Sequence, residues 1–182
     1  AALCVDPTRP CAVEATKNIK AAAEKAGVGY LRLLRPASPL PENCLVFESA
    51  KQAAEALAAE EGNLLLATGA KELAQFAAIP PEPLYPRVLP TLESITACEA
   101  ANIPHRNIIA MQGPFSFALN QAMMEQFHIR WLVTKDGGAA GGFDEKAAAA
   151  SAAGAQLVVI RRPPEQGETA SEVLKRCKEM IR

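Results

Sequence analysis

The sequence predicts an α/β protein with parallel β-sheets, divided into two lobes. Short apolar runs alternate with longer segments rich in Ala, Glu and Lys, which is typical of strand–helix–strand units around a parallel sheet. A proline-rich stretch, Ala78–Pro86, interrupts this alternation and indicates a boundary between lobes. The first strand-like run begins at Leu3, so we expect the first lobe to be incomplete at its N-terminus.

Apolar, strand-like runs follow one another along the whole chain. In order they are Leu3–Val5, Tyr30–Leu34, Cys44–Phe47, Leu64–Ala67, Asn107–Met111, Trp131–Val133 and Leu157–Ile160. Helices are predicted over Val13–Ala26, which ends at Gly27, around the alanine run Ala147–Ala153, and over Ser171–Ile181. The four prolines of the interrupting stretch remove backbone donors and disfavour helix. Residues 1–84 are therefore predicted to form one lobe and residues 85–182 the other.

The composition excludes several classes of protein. Lys and Arg number 19 against 20 Asp and Glu, so the basic surface of a nucleic-acid or membrane-surface binder is missing. No apolar run reaches the roughly 20 residues of a transmembrane helix, and the first residues do not form a signal peptide. The five cysteines include no CxxC pair and no nearby histidine set, so no metal site is predicted. A soluble, cytoplasmic protein is expected.

Ligands of parallel α/β sheets collect at the carboxyl ends of the strands, where the connecting loops converge. The turn Thr68-Gly69 follows one strand and leaves backbone amides for an anion, although an ordinary tight turn explains it equally well. A second turn combines a glycine for close approach, a proline and neutral hydrogen-bonding groups. Its residues are Gln112, Gly113, Pro114, Phe115 and Ser116.

Two further loops carry cations. Lys135 and Lys146 flank a stretch with four glycines, Gly141 and Gly142 among them, which can approach a phosphate or carboxylate closely. The stretch is neither a Walker loop nor the usual dinucleotide fingerprint, and a flexible loop with solvated lysines is the alternative. Arg87 lies between prolines and can clasp a carboxylate or pair with an acid of the fold.

Side chains for acid–base or nucleophilic catalysis are scarce. His105 and His128 lie outside these loops, where surface or capping roles are favoured. Ser116 has no GxSxG setting and no evident histidine partner. The pattern therefore favours a site that holds an anionic ligand while a cofactor performs the chemistry, and no catalytic residue is assigned.

Two long motifs stand in a fixed order along the chain. Asn107–Ser116 continues through Leu119-Asn120, and Leu132–Asp136 is followed by Gly141–Lys146. Both resemble motifs of the precorrin-6A reductase family, including its cobalt-precorrin-6A branch. Further agreement comes from Arg87–Pro90, Thr68-Gly69, Tyr30–Arg32, Arg35-Pro36 and Arg162-Pro163, so the resemblance covers essentially the whole chain.

The resemblance implies two Rossmann-like domains that flank a cleft. It further implies an enzyme that uses NADPH to reduce one double bond of a contracted, carboxylate-rich tetrapyrrole during cobalamin biosynthesis. On that basis Thr68, Gly69 and the turn 112–116 are expected to contact the cofactor. The residues expected to bind the substrate are Arg9, Arg87, Lys135, Gly141, Gly142 and Lys146. Other enzymes of the corrin pathway are expected partners.

The chain departs from the family pattern at two places. The family opens with a strand and a Gly-Gly-Thr loop for the dinucleotide, and no such loop precedes Leu3, so a truncated chain with weak NADPH binding is expected. In Asp6–Ala12 the family pattern has a histidine where Arg9 stands, and Arg9 can bind a carboxylate but cannot transfer a proton.

Two other functions stay open. The first is a non-catalytic tetrapyrrole-binding or scaffold fragment that lacks the nucleotide-binding half. The second is a phosphate-binding transferase, which rests on the glycine loops alone.

Overall fold

The chain forms two units in the computed structural model, which describes residues 2–10, 12–36, 39–137 and 142–181. Unit 1 comprises residues 1–37 and 162–182, and unit 2 comprises residues 38–161. None of the described helices combines the length and apolar composition required to cross a lipid bilayer.

Unit 1 is built on two parallel strands, β1 (Leu3–Asp6) and β2 (Gly29–Arg32), joined through α1 (Val13–Lys25). Helix α1 ends just before Gly27, whose φ of +65° is readily adopted by a residue without a side chain. The end of the chain returns to this unit as α6 (Ala170–Ile181). The hydrophobic residues that are buried in the described part of unit 1 are Ala23, Leu31 and Val173, so its core is small.

Unit 2 contains a six-stranded parallel sheet with the strand order β3-β8-β7-β4-β5-β6. The strands are β3 (Leu45–Phe47), β4 (Asn63–Ala67), β5 (Leu84–Val88), β6 (Ile109–Ala110), β7 (Ile129–Lys135) and β8 (Gln156–Ile160). The helices are α2 (Ala50–Leu57), α3 (Leu92–Ala100), α4 (Phe117–Gln126) and α5 (Phe143–Ala152), with 3-10 helices at Ala70–Phe76 and His105–Asn107. The predicted α/β fold with parallel sheets is confirmed.

The central strands of unit 2 are apolar on both faces, as expected of a parallel sheet covered on both sides. In β4, Leu64 and Leu66 pack into one cluster with Phe76, whereas Leu65 packs into the other with Met124. Each fully buried leucine contributes roughly 1.5–3 kcal/mol. This apolar centre fixes the strands, so the polar residues that follow them hold defined positions.

The division into units differs from the predicted lobes, residues 1–84 and 85–182. Strands β4 and β5 pair in register from Leu64↔Leu84 to Leu66↔Pro86, so one sheet runs through the proline-rich stretch. Pro86 is tolerated in this strand because β6 begins to pair only at Arg87↔Ile109. The prolines thus shape the turn before β5 and do not separate two lobes.

Candidate functional site

The topology of unit 2 selects one place for a ligand, between β4 and β7. From β4 the chain proceeds to β5 and β6 on one side, whereas from β7 it proceeds to β8 on the other. Open α/β sheets bind ligands beyond the carboxyl ends of two neighbouring strands from which the chain proceeds in opposite directions across the sheet. The loops that leave these two strands turn away from each other and open a crevice. The register Ala67↔Thr134 places Thr68-Gly69 beside Lys135 at this switch point.

Thr68 and Gly69 form a candidate binding position for a ligand at the switch point. The Thr68 hydroxyl oxygen is buried and has no hydrogen-bond partner among the described residues. Gly69 adopts φ of +87°, and a Cβ atom built on it would meet nothing within 4 Å. A buried hydroxyl without a hydrogen-bond partner destabilises the folded protein, whereas a bound ligand can provide an oxygen that accepts a hydrogen bond from it.

Lys135 is already engaged at this point. Its Nζ atom donates to Glu72 Oε1 at 2.7 Å, and both side chains are partly exposed. Glu72 belongs to the 3-10 helix that follows Gly69. A ligand anion at Lys135 would therefore compete with the carboxylate of Glu72.

Arg87 is a buried cation at the carboxyl end of β5. Its side chain is 7% exposed, and its Nη1 atom donates to Asn120 Oδ1 at 2.7 Å. The guanidinium carbon lies 4.0 Å from the centroid of the Phe115 ring, in a cation–π contact. Within the described residues, no carboxylate forms an ion pair with Arg87, so its charge is not compensated.

Burial lowers the pKa of the Arg87 guanidinium to about 10, because removal from water disfavours the charged form. The side chain is still cationic at neutral pH. Retaining an unpaired charge in the interior costs free energy, and an arriving anion would recover part of that cost.

Asn120 joins Arg87 to the turn before α4. Its Nδ2 atom donates to the carbonyl oxygens of Phe115 and Ser116, at 3.3 and 2.8 Å. Ser116 caps α4, since its hydroxyl accepts from the backbone N–H of Leu119 at 3.2 Å. Gly113 and Pro114, joined by a cis peptide bond, are exposed and precede the helix, as does the exposed Gln112. The structure thus brings Arg87, Phe115 and Ser116 together.

An open apolar groove of about 530 Å³ is lined by residues around β6 and by residues of α4. It is lined by Ile109 and Met111 on one side and by Leu119 and Met123 of α4 on the other. Ile109 pairs with Arg87, and Leu119 precedes Asn120 in the helix. Arg87 does not itself line the groove, but it belongs to the neighbouring strand and contacts the same helix, an arrangement that suits an anionic ligand with an extended apolar body.

The other residues predicted to bind the substrate are Lys146, Gly141, Gly142 and Arg9. Lys146 is a buried residue of α5, and its Nζ atom donates to Thr134 Oγ1 at 2.8 Å, so its ammonium serves contacts within the fold. Gly142 adopts a left-handed conformation before α5, and Gly141 lies outside the described residues. Arg9 is an exposed residue of unit 1.

Unit 1 carries its own polar network at the carboxyl end of β1. The Asp6 carboxylate, 0% exposed, accepts from the Tyr30 hydroxyl at 2.8 Å and from the Thr8 backbone N–H at 2.9 Å. It also pairs with Arg32 Nη1 at 3.1 Å, and Arg32 Nη2 pairs with Glu165 at 2.5 Å. Burial alone would raise the pKa of Asp6, but these hydrogen bonds and the Arg32 charge hold it below its usual value. The charged groups of this network, Asp6, Arg32 and Glu165, all have partners of opposite charge, whereas Arg87 has none among the described residues.

Two residues of the site were not identified from sequence. Asn120 lies in the motif that begins at Asn107, but the motif does not indicate its function. A polar residue among the apolar positions of a helix does indicate a buried contact. Glu72 carried no signal, because its partner Lys135 lies 63 residues away in the chain. Within the described residues, no group of three or more His, Cys, Asp and Glu side chains could hold a metal ion.

Known proteins share this sequence pattern and fold. The family model described as precorrin-6x reductase CbiJ/CobK matches residues 1–178. The cobalt-precorrin-6A reductase of Priestia megaterium is 34% identical over 143 residues, which cover 74% of this chain and 54% of that protein. The precorrin-6A reductase of a Sinorhizobium species is 31% identical over 139 residues, covering 75% of this chain and 51% of that protein.

A solved structure of a CobK precorrin-6A reductase has a similar fold, with a TM-score of 0.75 and 20% sequence identity. The similarity covers 98% of this chain and 73% of that chain. The chain spans about half the length of the curated relatives that it matches.

Proposed function

The chain belongs to the precorrin-6x reductase family, CbiJ/CobK, and we propose that its activity is the reduction of one double bond in a precorrin-6A macrocycle with NADPH. Both cobalt-precorrin-6A and precorrin-6A reductases are among its relatives, so the proposal concerns the macrocycle with or without the metal. It places the reaction in cobalamin biosynthesis.

The observation that carries the proposal is the buried, unpaired charge of Arg87. A carboxylate-rich tetrapyrrole offers planar anions, which a guanidinium binds in bidentate geometry, and a broad apolar ring system. The groove along Ile109 and Leu119 suits the ring system, and Arg87 suits one carboxylate. A fold with Arg87 paired to an internal acid would not support this assignment.

The described residues also fit an anionic cofactor at the switch point. The unpartnered Thr68 hydroxyl and the open space at Gly69 can receive a phosphate or hydroxyl group. Lys135, which the resemblance assigns to the substrate, lies beside this turn and can instead supply a charge to the cofactor once it leaves Glu72. NADPH, when bound, supplies the hydride. The residues of this chain orient the two reactants and balance their charges, and the proton that completes the reduction is assigned to solvent.

The test mixes the chain with cobalt-precorrin-6A and NADPH. We expect loss of the near-ultraviolet absorbance of NADPH and a product that is heavier by two hydrogen atoms. Binding of the macrocycle without NADPH oxidation would instead support the alternative, a non-catalytic tetrapyrrole-binding fragment. Neither binding nor oxidation would contradict both functions.

A further inference from the structure

Asn120 and Arg87 form a contact whose geometry is fixed from both sides. The guanidinium is held at one end, where Nη1 donates to Asn120, and on one face, where it lies over the Phe115 ring. Its Nε and Nη2 atoms form no hydrogen bond with the described residues. These two donors lie on the same edge of the guanidinium, which is the edge that matches the two oxygens of a carboxylate.

The amide of Asn120 can face Arg87 in only one orientation. Its Nδ2 atom lies against the carbonyl oxygens of Phe115 and Ser116, which only a donor can satisfy, so Oδ1 must point to Arg87. An aspartate at this position would set its second oxygen against two carbonyl oxygens. It would also neutralise Arg87, whereas the neutral amide positions the cation and leaves its charge available.

The surroundings of the pair add to the preference for an anion. Asn120 lies in the first turns of α4, which begins at Phe117, and the N-terminal end of a helix carries a partial positive charge. Arg87 is therefore buried next to a charge of its own sign. The charge of Arg87 and the positive end of α4 would both interact favourably with a bound negative group.

We propose that Asn120 is a positioning residue, which holds Arg87 so that the Nε–Nη2 edge receives one carboxylate of the tetrapyrrole. The inference rests on the proposed function, because it names the group that the same site recognises. Asn120 acts through Arg87 and does not itself touch the ligand.

The experiment measures binding of uroporphyrin, a polycarboxylate tetrapyrrole, and of its fully methylated ester by fluorescence quenching. Asn120→Ser is the main variant, because a serine hydroxyl can still donate to the Ser116 carbonyl but cannot reach Arg87. Gln121→Ala is the matched control on α4, since the side chain of Gln121 hydrogen-bonds with Glu125 and not with Arg87 or Asn120. Thermal unfolding of each variant reports whether the fold is kept.

We expect Asn120→Ser to weaken uroporphyrin binding on the order of tenfold and Gln121→Ala to leave it unchanged. Arg87→Met should weaken binding at least as much, and adding Asn120→Ser to Arg87→Met should cause no further loss. The methyl ester should bind weakly to every variant. In turnover with cobalt-precorrin-6A, Asn120→Ser should raise KM more than it lowers kcat.

Three results would overturn the proposal: unchanged binding by folded Asn120→Ser, an equal loss in the Arg87→Met background, or equal binding of acid and ester. Each of them leaves the proposed reductase activity standing if the unmodified chain still oxidises NADPH. If the unmodified chain neither binds uroporphyrin nor oxidises NADPH, the proposed function itself fails.

Discussion

Lys135 and Arg87 carry the same charge but occupy different environments. Arg87 is buried without an acidic partner in the described part of the chain, so its charge opposes folding and favours a ligand. Lys135 is partly exposed and paired with Glu72, and such pairs contribute about 0–1 kcal/mol to stability. The stability of the ligand-free protein therefore does not account for the presence of either cation.

Replacement of Lys135 by methionine tests the cation at the switch point. Methionine keeps most of the apolar stem, so we expect the free energy of unfolding to change by less than about 1 kcal/mol. Affinity for NADPH should fall, by roughly 1–3 kcal/mol, if the ammonium contacts a phosphate or carboxylate. Titration calorimetry and thermal unfolding measure the two effects.

Glu72→Gln is the matched control, because it removes the competing carboxylate and keeps the shape of the side chain. Its NADPH affinity should equal or exceed that of the unmodified chain. A loss of affinity in Glu72→Gln as large as that in Lys135→Met would show that the ion pair, and not the free ammonium, shapes the site.

The sequence indicates which loops form the site more readily than which side chains meet there. Thr68 and Lys135 could be selected because each lies at the end of a predicted strand, and the carboxyl ends of parallel strands share one edge of the sheet. Arg87 was selected because it lies between prolines, without a predicted strand before it. The contact of Arg87 with Asn120 could not be predicted, since it depends on how α4 packs on β5. Burial of Lys146 likewise follows from the packing of α5 and not from its glycine-rich surroundings.

Among the elements, the β1–β2 pair depends on a polar contact as well as on its ladder. Tyr30 of β2 donates to Asp6 of β1, and this contact joins the carboxyl-terminal half of one strand to the neighbouring strand. Burial, together with the hydrogen bond and the negative charge of Asp6, raises the pKa of Tyr30 to about 12 from 10.0. The folded chain thus holds the phenol proton more tightly than the unfolded chain does.

A pH titration of stability should reveal this contact. The folded-state pKa of Tyr30 is raised, so its contribution is fully present below pH 10 and is lost as the pH rises through about 12. The unmodified chain should therefore be more stable than Tyr30→Phe at neutral pH, and the difference should shrink across this window. Denaturant unfolding of both proteins measures it, and a difference that stays constant up to pH 12 would contradict the contact.

Most of the helices and strands could be predicted from the alternation of short apolar runs with longer polar and alanine-rich segments. Buried parallel strands are short apolar runs, and those expected at Leu64–Ala67 and Leu157–Ile160 correspond to β4 and β8. Strand β5 was missed because Pro86 reads as a strand breaker, and its tolerance depends on where β6 starts to pair. The same prolines suggested the lobe boundary, since local sequence does not reveal which strands share a sheet.

At the scale of the whole molecule, the two units differ in how much apolar surface they bury. Two clusters of buried side chains cover the faces of the unit 2 sheet, with Leu65 and Val158 at 0% exposure. The described core of unit 1 is limited to Ala23, Leu31 and Val173. Because hydrophobic burial supplies most of the stability of a fold, we expect unit 1 to open more readily than unit 2.

Hydrogen–deuterium exchange tests this difference. Backbone amides of β4, β7 and β8 should exchange slowest, and those of β1 and β2 should exchange at least about tenfold faster, because fewer apolar contacts oppose their opening. Leu31→Ala should accelerate exchange in β1 and β2 alone. Leu65→Ala, the matched deletion in unit 2, should cost about 2–5 kcal/mol and accelerate exchange across the central strands. Equal protection of β1 and β4 in the unmodified chain, or acceleration of both units by Leu31→Ala, would show that the two units open as one cooperative structure.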